Sequence, residues 1–180
     1  MELLTLASHT GSHLDAPLHK LSGGRAIDAF PLESFVGPCV LADLRGIAAD
    51  SAIDAPSLRR VLPDKLRDVI VLLATGWGDR RAKSEEWQFH SPFLGAEGAE
   101  FLVDRGIRGV GIDHYSIGGC VEPGNARTHE VLLSAGVWIV EDLRFPPEVF
   151  ALPQPFTFWA LPINFPGSSG SFCRPVAVAP

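Results

Sequence analysis

Gly95-Ala-Glu-Gly-Ala-Glu-Phe-Leu-Val-Asp-Arg-Gly-Ile-Arg-Gly-Val-Gly-Ile-Asp113 is the stretch on which the fold class turns. Across Gly95 to Arg105 the apolar positions Ala99, Leu102 and Val103 recur at helical spacing, and Gly106 stands where a left-handed cap ends a helix. The run that follows, Gly109 to Asp113, has the short apolar character of a buried strand. Downstream the same order returns, with a helix over Thr128 to Ala135, a stop at Gly136 and a strand over Val137 to Glu141. Two successive helix-glycine-strand units imply an α/β layer arrangement. Working outward, Cys39 to Leu44 and Val69 to Thr75 carry the same strand signal. From Pro146 onward the pattern changes. Those 35 residues hold eight of the fifteen prolines, with Phe150, Phe156, Phe158, Trp159, Phe165 and Phe172 among them, so this tail is expected to be extended and to cover the body.

Composition narrows the function classes. With 180 residues, 46% hydrophobic and 20% charged, the chain has the size and usage of one globular domain, which excludes intrinsic disorder and coiled coil. Gly 18 and Pro 15 favour strands and shaped loops over long helices. A net charge of -6 without a dense Lys/Arg cluster argues against nucleic acid as a partner. The longest apolar stretches, Val69 to Ala74 and Val137 to Val140, fall far short of the roughly 18 residues of a membrane helix. Met1 to Leu6 has no basic run ahead of its leucines, so no signal peptide is indicated and a cytoplasmic location is expected. Cys39, Cys120 and Cys173 form no C-x-x-C pair, which points to reduced thiols rather than a disulfide framework or a cysteine zinc site.

Chemistry concentrates near the start. Three of six histidines and an aspartate fall within His9-Thr-Gly-Ser-His13-Leu-Asp15-Ala-Pro-Leu-His19. Gly11 and Pro17 oppose a helix, and an extended chain sends all four side chains to one side. A straight strand would leave His9 and His13 about 13 Å apart at ~3.3 Å per residue, so a bend is expected at Gly11. Two imidazoles and a carboxylate suit zinc, manganese or ferrous iron, with open positions for water. The competing reading is a polar loop whose histidines bond backbone carbonyls. His19 need not be a ligand, because an imidazole titrating near neutrality could shuttle a proton.

A second pair lies far along the chain. His129 at the start of the helix Thr128 to Ala135, and Glu141 at the end of the next strand, are carried to one edge of the layers by a helix of about 10 Å and a returning strand of about 13 Å. The alternative for that pair is a helix-start histidine and a surface glutamate. Gly167-Ser168-Ser169-Gly170 is not a nucleophile elbow and reads as a loop. Trp77, Trp87 and Phe93 read as core aromatics, and His90 and His114 as structural histidines.

His9 to His19 resembles the H-x-G-T-H-x-D-x-P-x-H signature of the cyclase family of metal-dependent hydrolases, which includes kynurenine formamidase and isatin hydrolase. Thr75-Gly76-Trp77, Gly111-Ile112-Asp113, Thr128-His129 through Glu141-Asp142-Leu143, Leu161-Pro162-Ile163 and Gly170-Ser171 through Arg174-Pro175-Val176 extend the likeness over nearly the whole chain. The resemblance implies a β-barrel-like mixed sheet flanked by helices. It also implies one or two divalent ions, zinc or manganese, with His9, His13 and Asp15 as first-site ligands, His129 and Glu141 as further metal residues, and His19 as the catalytic histidine. Family members act on amides, lactams or related carbonyl compounds, and commonly form dimers or tetramers, so a small-molecule substrate and a homodimer or homotetramer are expected. Ser12 replaces the usual threonine and keeps its hydroxyl. Ile117-Gly118-Gly119 follows Ser116 where the family more often has an aspartate. The expected organisation is one hydrolase domain over 1–180, without the family's usual N-terminal stretch.

The expected reaction is cleavage of a C–N bond in a small amide, aryl formamide or lactam by metal-activated water, with His19 moving the proton. Two other readings stand beside it: a metal-binding protein without turnover, and a dehydratase or cyclase using the same centre.

Overall fold

Alternation along the central strands builds the molecule. In this computed structural model, which describes Met1 to Pro180, strand β2 (Val36–Asp43) and strand β4 (Ile70–Ala74) send alternate side chains to two opposed apolar layers. Val40, Ala42, Val71 and Leu73 join one cluster, while Cys39, Leu41, Ile70 and Leu72 join the other. All five residues of β4 are buried, as a parallel strand covered on both faces requires. Each fully buried leucine or isoleucine contributes roughly 1.5–3 kcal/mol.

The first cluster is roofed by helices α1 (Ala55–Val61), α3 (Ala96–Asp104) and α4 (Gly124–Ser134), and includes Leu58, Leu102 and Leu132. α1 starts at Asp54, whose carboxylate accepts the Ser57 N–H at 2.8 Å. After α3 and α4 the chain turns back through Gly106 and Gly136, at φ +69° and +78°, into strands β6 (Gly109–Ile112) and β7 (Trp138–Glu141). Both helix-glycine-strand units therefore form as expected.

α4 departs from expectation at its start, which is Gly124 rather than Thr128. Glu122 supplies the cap, its carboxylate accepting the Ala126 N–H at 2.9 Å, while the Thr128 hydroxyl instead donates to the Leu94 carbonyl. Helix α2 (Glu85–Phe89) and the two-stranded sheet of β3 (Ala52–Ile53) and β5 (Phe93–Leu94) are further elements beyond those expected.

Strand β1 (His13–Asp15) and three tail strands, β8 (Phe156–Trp159), β9 (Gly170–Phe172) and β10 (Val176–Val178), complete an eight-stranded mixed sheet. Its order is β10-β8-β2-β4-β6-β7-β1-β9, with β2, β4, β6 and β7 parallel and the outer strands antiparallel. The sheet is curled and open, a half-barrel flanked by helices. The proline-rich tail is thus more than a cover: it opens with a 3₁₀ turn (Pro147–Ala151), is extended over β8, β9 and β10, and supplies strands at both edges.

Parallel strands end along one edge, where the chemistry gathers. There the Asp113 carboxylate accepts the Thr75 N–H (3.0 Å), the Thr75 hydroxyl (2.6 Å) and the Gly76 N–H (2.8 Å), tying the end of β4 to the end of β6. No helix is long and apolar enough to cross a membrane.

Candidate metal centre

β1 runs antiparallel to β7 in a register that sets His13 opposite Glu141 and Asp15 opposite Ile139. Leu14 and Val140 point into the second apolar cluster, so His13, Asp15 and Glu141 face the helices. His129 meets them from the second turn of α4. It does not sit at the helix start, because the helix begins five residues before it, yet its Nε2 lies 3.2 Å from Glu141 Oε1 and 3.6 Å from Asp15 Oδ2. His13 Nε2 is 3.4 Å from Asp15 Oδ1 and 3.5 Å from Glu141 Oε2. All four side chains are buried.

The expected bend is present: Gly11 has φ +64°. It swings His9 back over β1, where Nδ1 donates to Asp15 Oδ1 at 2.7 Å. His19 closes the far side from the short 3₁₀ turn Pro17–His19, its ring 4.2 Å from that of His9 and 5.6 Å from that of His129. These two histidines are only partly buried and form the open rim. Six side chains from four separate segments thus meet; five of them fall in two overlapping donor clusters that share Asp15, namely His9, Asp15 and His19, and His13, Asp15 and Glu141, and His129 stands beside them.

Backbone groups aim the imidazoles. A carbonyl oxygen only accepts, so the 2.8 Å contact from His13 Nδ1 to Gly11 O and the 2.9 Å contact from His129 Nδ1 to Asn125 O place a proton on each Nδ1 and turn each Nε2 inward. The Ile117 N–H donates to Glu141 Oε1 at 2.7 Å.

Three contacts carry no signal in the local sequence. The Ser12 hydroxyl donates to Asp142 O at 2.7 Å and prolongs the β1–β7 pairing past the strand ends. Ser169 Oγ lies 2.9 Å from His9 Nε2, although the two residues are 160 positions apart. Asp142 itself, at φ +58°, is held by Arg81. The remaining candidates behave as structural residues. His114 is buried between Ser91 and the Trp87 carbonyl, His90 pairs with Asp50 at the surface, and Trp77 and Trp87 are core.

Electrostatics follow from packing two carboxylates together. Burial opposes ionisation of Asp15, but the surrounding imidazoles of His129, His13 and His9, of which His9 is hydrogen-bonded to it, overcome that and hold the carboxyl well below its usual range. Glu141 is pushed up, by burial and by the charge of Asp15. Burial also opposes the imidazolium of His129, yet Asp15 and Glu141 raise it to about 10, and His13 rises for the same reasons. His19 goes the other way, down to about 4, through burial and, against the pull of Asp15, the neighbouring imidazoles of His9 and His129.

One atom of this cluster is left over. Asp15 Oδ2 is fully buried and has no hydrogen-bond partner, since the 3.6 Å to His129 Nε2 is too long for one. An ionised oxygen stranded among inward-facing imidazole nitrogens fits a divalent cation, whose preferred donors are these. An apolar cavity of about 370 Å³, lined by Leu72, Leu143, Phe145 and Phe158, is lined by none of these six residues.

A family model described as "Putative cyclase" matches residues 2–118. The kynurenine formamidase of Bordetella petrii is 32% identical over 149 residues, covering 78% of this chain and 63% of that relative. That of Salinibacter ruber is 33% identical over 159 residues, covering 83% and 70%. The chain therefore spans about two thirds of the length of these relatives. A solved structure described as a potential metal-dependent hydrolase with cyclase activity superposes with a TM-score of 0.82 at 32% identity, covering 96% of this chain and 80% of that one. Isatin hydrolase A from Labrenzia aggregata, bound to benzyl benzoate, gives 0.80 at 26% identity, covering 97% and 75%.

Proposed function

The chain belongs to the cyclase family, and from that premise we propose that it is a metal-dependent hydrolase cleaving a C–N bond of a small amide, aryl formamide or lactam. The observation that carries this reading is the unpartnered, buried Asp15 Oδ2 at the meeting point of the imidazoles and Glu141. Support for the substrate class comes from the relatives, which are kynurenine formamidases and isatin hydrolases.

In this reading His9, His13 and Asp15, with His129 and Glu141, hold one or two divalent ions, zinc or manganese. Such an ion lowers the pKa of water and polarises a carbonyl, the two things an unactivated amide lacks. The protein's own part is to keep the donors aimed and to move the proton. Gly11 O and Asn125 O fix two imidazoles, and the Ile117 N–H fixes one oxygen of Glu141. His19, neutral at pH 7, can accept a proton on an imidazole nitrogen and return it to the departing amine nitrogen, which leaves badly unless protonated. His19 also falls within one donor cluster, so its substitution separates the two roles.

The test is metal analysis of protein prepared without chelator, with wild type and His19→Ala assayed on aryl formamides, isatin and cyclic amides. Wild type is expected to turn over at least one of these, and His19→Ala to keep its metal while losing about 10²–10⁴-fold in rate. Metal in both proteins with turnover by neither would favour a binding protein. Loss of metal from His19→Ala would make His19 a ligand. Products of dehydration or ring closure in place of hydrolysis would change the reaction class.

A further inference from the structure

We infer that the Ser116 hydroxyl and the Asn125 side chain form a latch that positions Glu141 and His129 relative to one another. The inference rests on the proposed metal site and names two positioning residues for it that touch neither the ion nor the substrate.

Glu141 ends β7 and His129 sits on α4, and their side chains meet directly, His129 Nε2 lying 3.2 Å from Glu141 Oε1. The loop Ser116–Gly119, downstream of β6, touches both elements. Its Ile117 N–H donates to Glu141 Oε1 at 2.7 Å, which commits that oxygen and leaves Oε2 facing His13 Nε2 at 3.5 Å. On the other side, Asn125 O accepts the His129 Nδ1 proton at 2.9 Å. One unit therefore supplies the donor that orients the carboxylate, and its neighbour the acceptor that orients the imidazole.

Ser116 joins the two. Its buried hydroxyl lies 2.9 Å from Asn125 Oδ1 and 2.8 Å from Gly119 O, sharing one proton between two acceptors. Contact along this seam is close: a Cβ at Gly118 would lie 2.8 Å from the Asn125 Cα and 2.8 Å from its carbonyl oxygen. The loop is thus both hydrogen-bonded to and packed against the first turn of α4. Without the hydroxyl bridge, the Ile117 N–H and the Asn125 carbonyl lose their common anchor, and Glu141 and His129 lose their fixed separation. Groups that orient metal ligands in this way commonly carry 10- to 100-fold of the affinity.

Cobalt(II) is the probe, because its visible absorption reports coordination geometry independently of turnover. Ser116→Ala and Asn125→Ala are each expected to bind cobalt about tenfold more weakly with shifted bands. The double variant should be no weaker than either single, since both remove the same bond. Asn125→Asp, which keeps the acceptor oxygen, should bind like wild type. Wild-type affinity and spectrum in both alanine variants, whatever their stability in urea after chelation, would overturn the latch, as would losses that simply add. Should wild type bind neither cobalt nor zinc, the proposed function fails instead, and amide exchange at Ile117 then decides the latch. Faster exchange in Ser116→Ala supports it and unchanged exchange overturns it. Asn125→Ala sits in the first turn of α4, outside the core, and carries the test if Ser116→Ala does not fold.

Discussion

Gly170 lies where β9 closes over the bent-back His9, and a Cβ there would come 2.5 Å from His9 Cε1 and 2.5 Å from the Leu14 carbonyl oxygen. Neither neighbour is free to move, because His9 is held by Asp15 and Ser169 and Leu14 is paired in the sheet. Gly170→Ala is therefore expected to destabilise the fold by about 1–3 kcal/mol and to weaken metal binding by displacing His9; urea denaturation and a zinc titration measure the two effects. At this scale much was legible. The density of histidine within His9–His19 singles out the candidate site, and Gly11 its bend, because both signals are local. Ser169 and the Ser12 contact to Asp142 were not, since each depends on a segment brought in from the other end of the chain.

Elements were legible where one periodicity ran unbroken to a glycine, as in α3 and α4 before Gly106 and Gly136. The start of α4 was hidden. Pro123, Gly124 and Asn125 are poor helix formers, and Glu122 caps them from outside the helix while Thr128, the expected first residue, lies in its second turn and bonds the Leu94 carbonyl. The segment between β4 and α3 is held by side chains rather than by long helices. The Trp87 carbonyl accepts from Trp77 Nε1 and His114 Nε2, and the Gln88 carbonyl accepts from the Tyr115 hydroxyl. Burial lowers the pKa of His114 from 6.5, against the raising effects of the Trp87 and Ser116 carbonyls and of Asp113. Below pH 6.5 the unfolded chain then binds more protons than the folded one. The stability His114 contributes is whole above that pH and is lost as pH falls through its folded value. His114→Gln is expected to flatten the decline of urea midpoint on acidification from pH 7 to 5, relative to wild type. Parallel curves for the two proteins would rule out His114 as a source of acid sensitivity.

For the whole molecule, strand order is the feature sequence could not supply, because β1 pairs with β7 and β9, and β2 with β8, across most of the chain length. The tail looked like a cover because prolines and aromatics fix extended backbone without saying which edge it joins. Thiol chemistry follows from the same packing. Cys39 is buried, burial pushes the Cys173 thiol up to about 12, and Cys120 alone is exposed. A thiol reagent at pH 7.5 should modify Cys120 first, read by mass spectrometry of the peptides, and reductant should leave the melting temperature unchanged. Rapid labelling of Cys39 in the native protein would mean that the half-barrel opens.

The tightest constraint on the molecule is the meeting of four segments around Asp15. Metal content of wild type and Asp15→Asn, both purified without chelator and then dialysed against zinc or manganese, addresses it most directly. Wild type is expected to retain about one or two ions per chain, and Asp15→Asn, which keeps the side-chain shape but loses its charge, to retain far less. A wild-type protein that holds no ion, or an Asp15→Asn variant that holds as much as wild type, would contradict a metal centre built on that carboxylate.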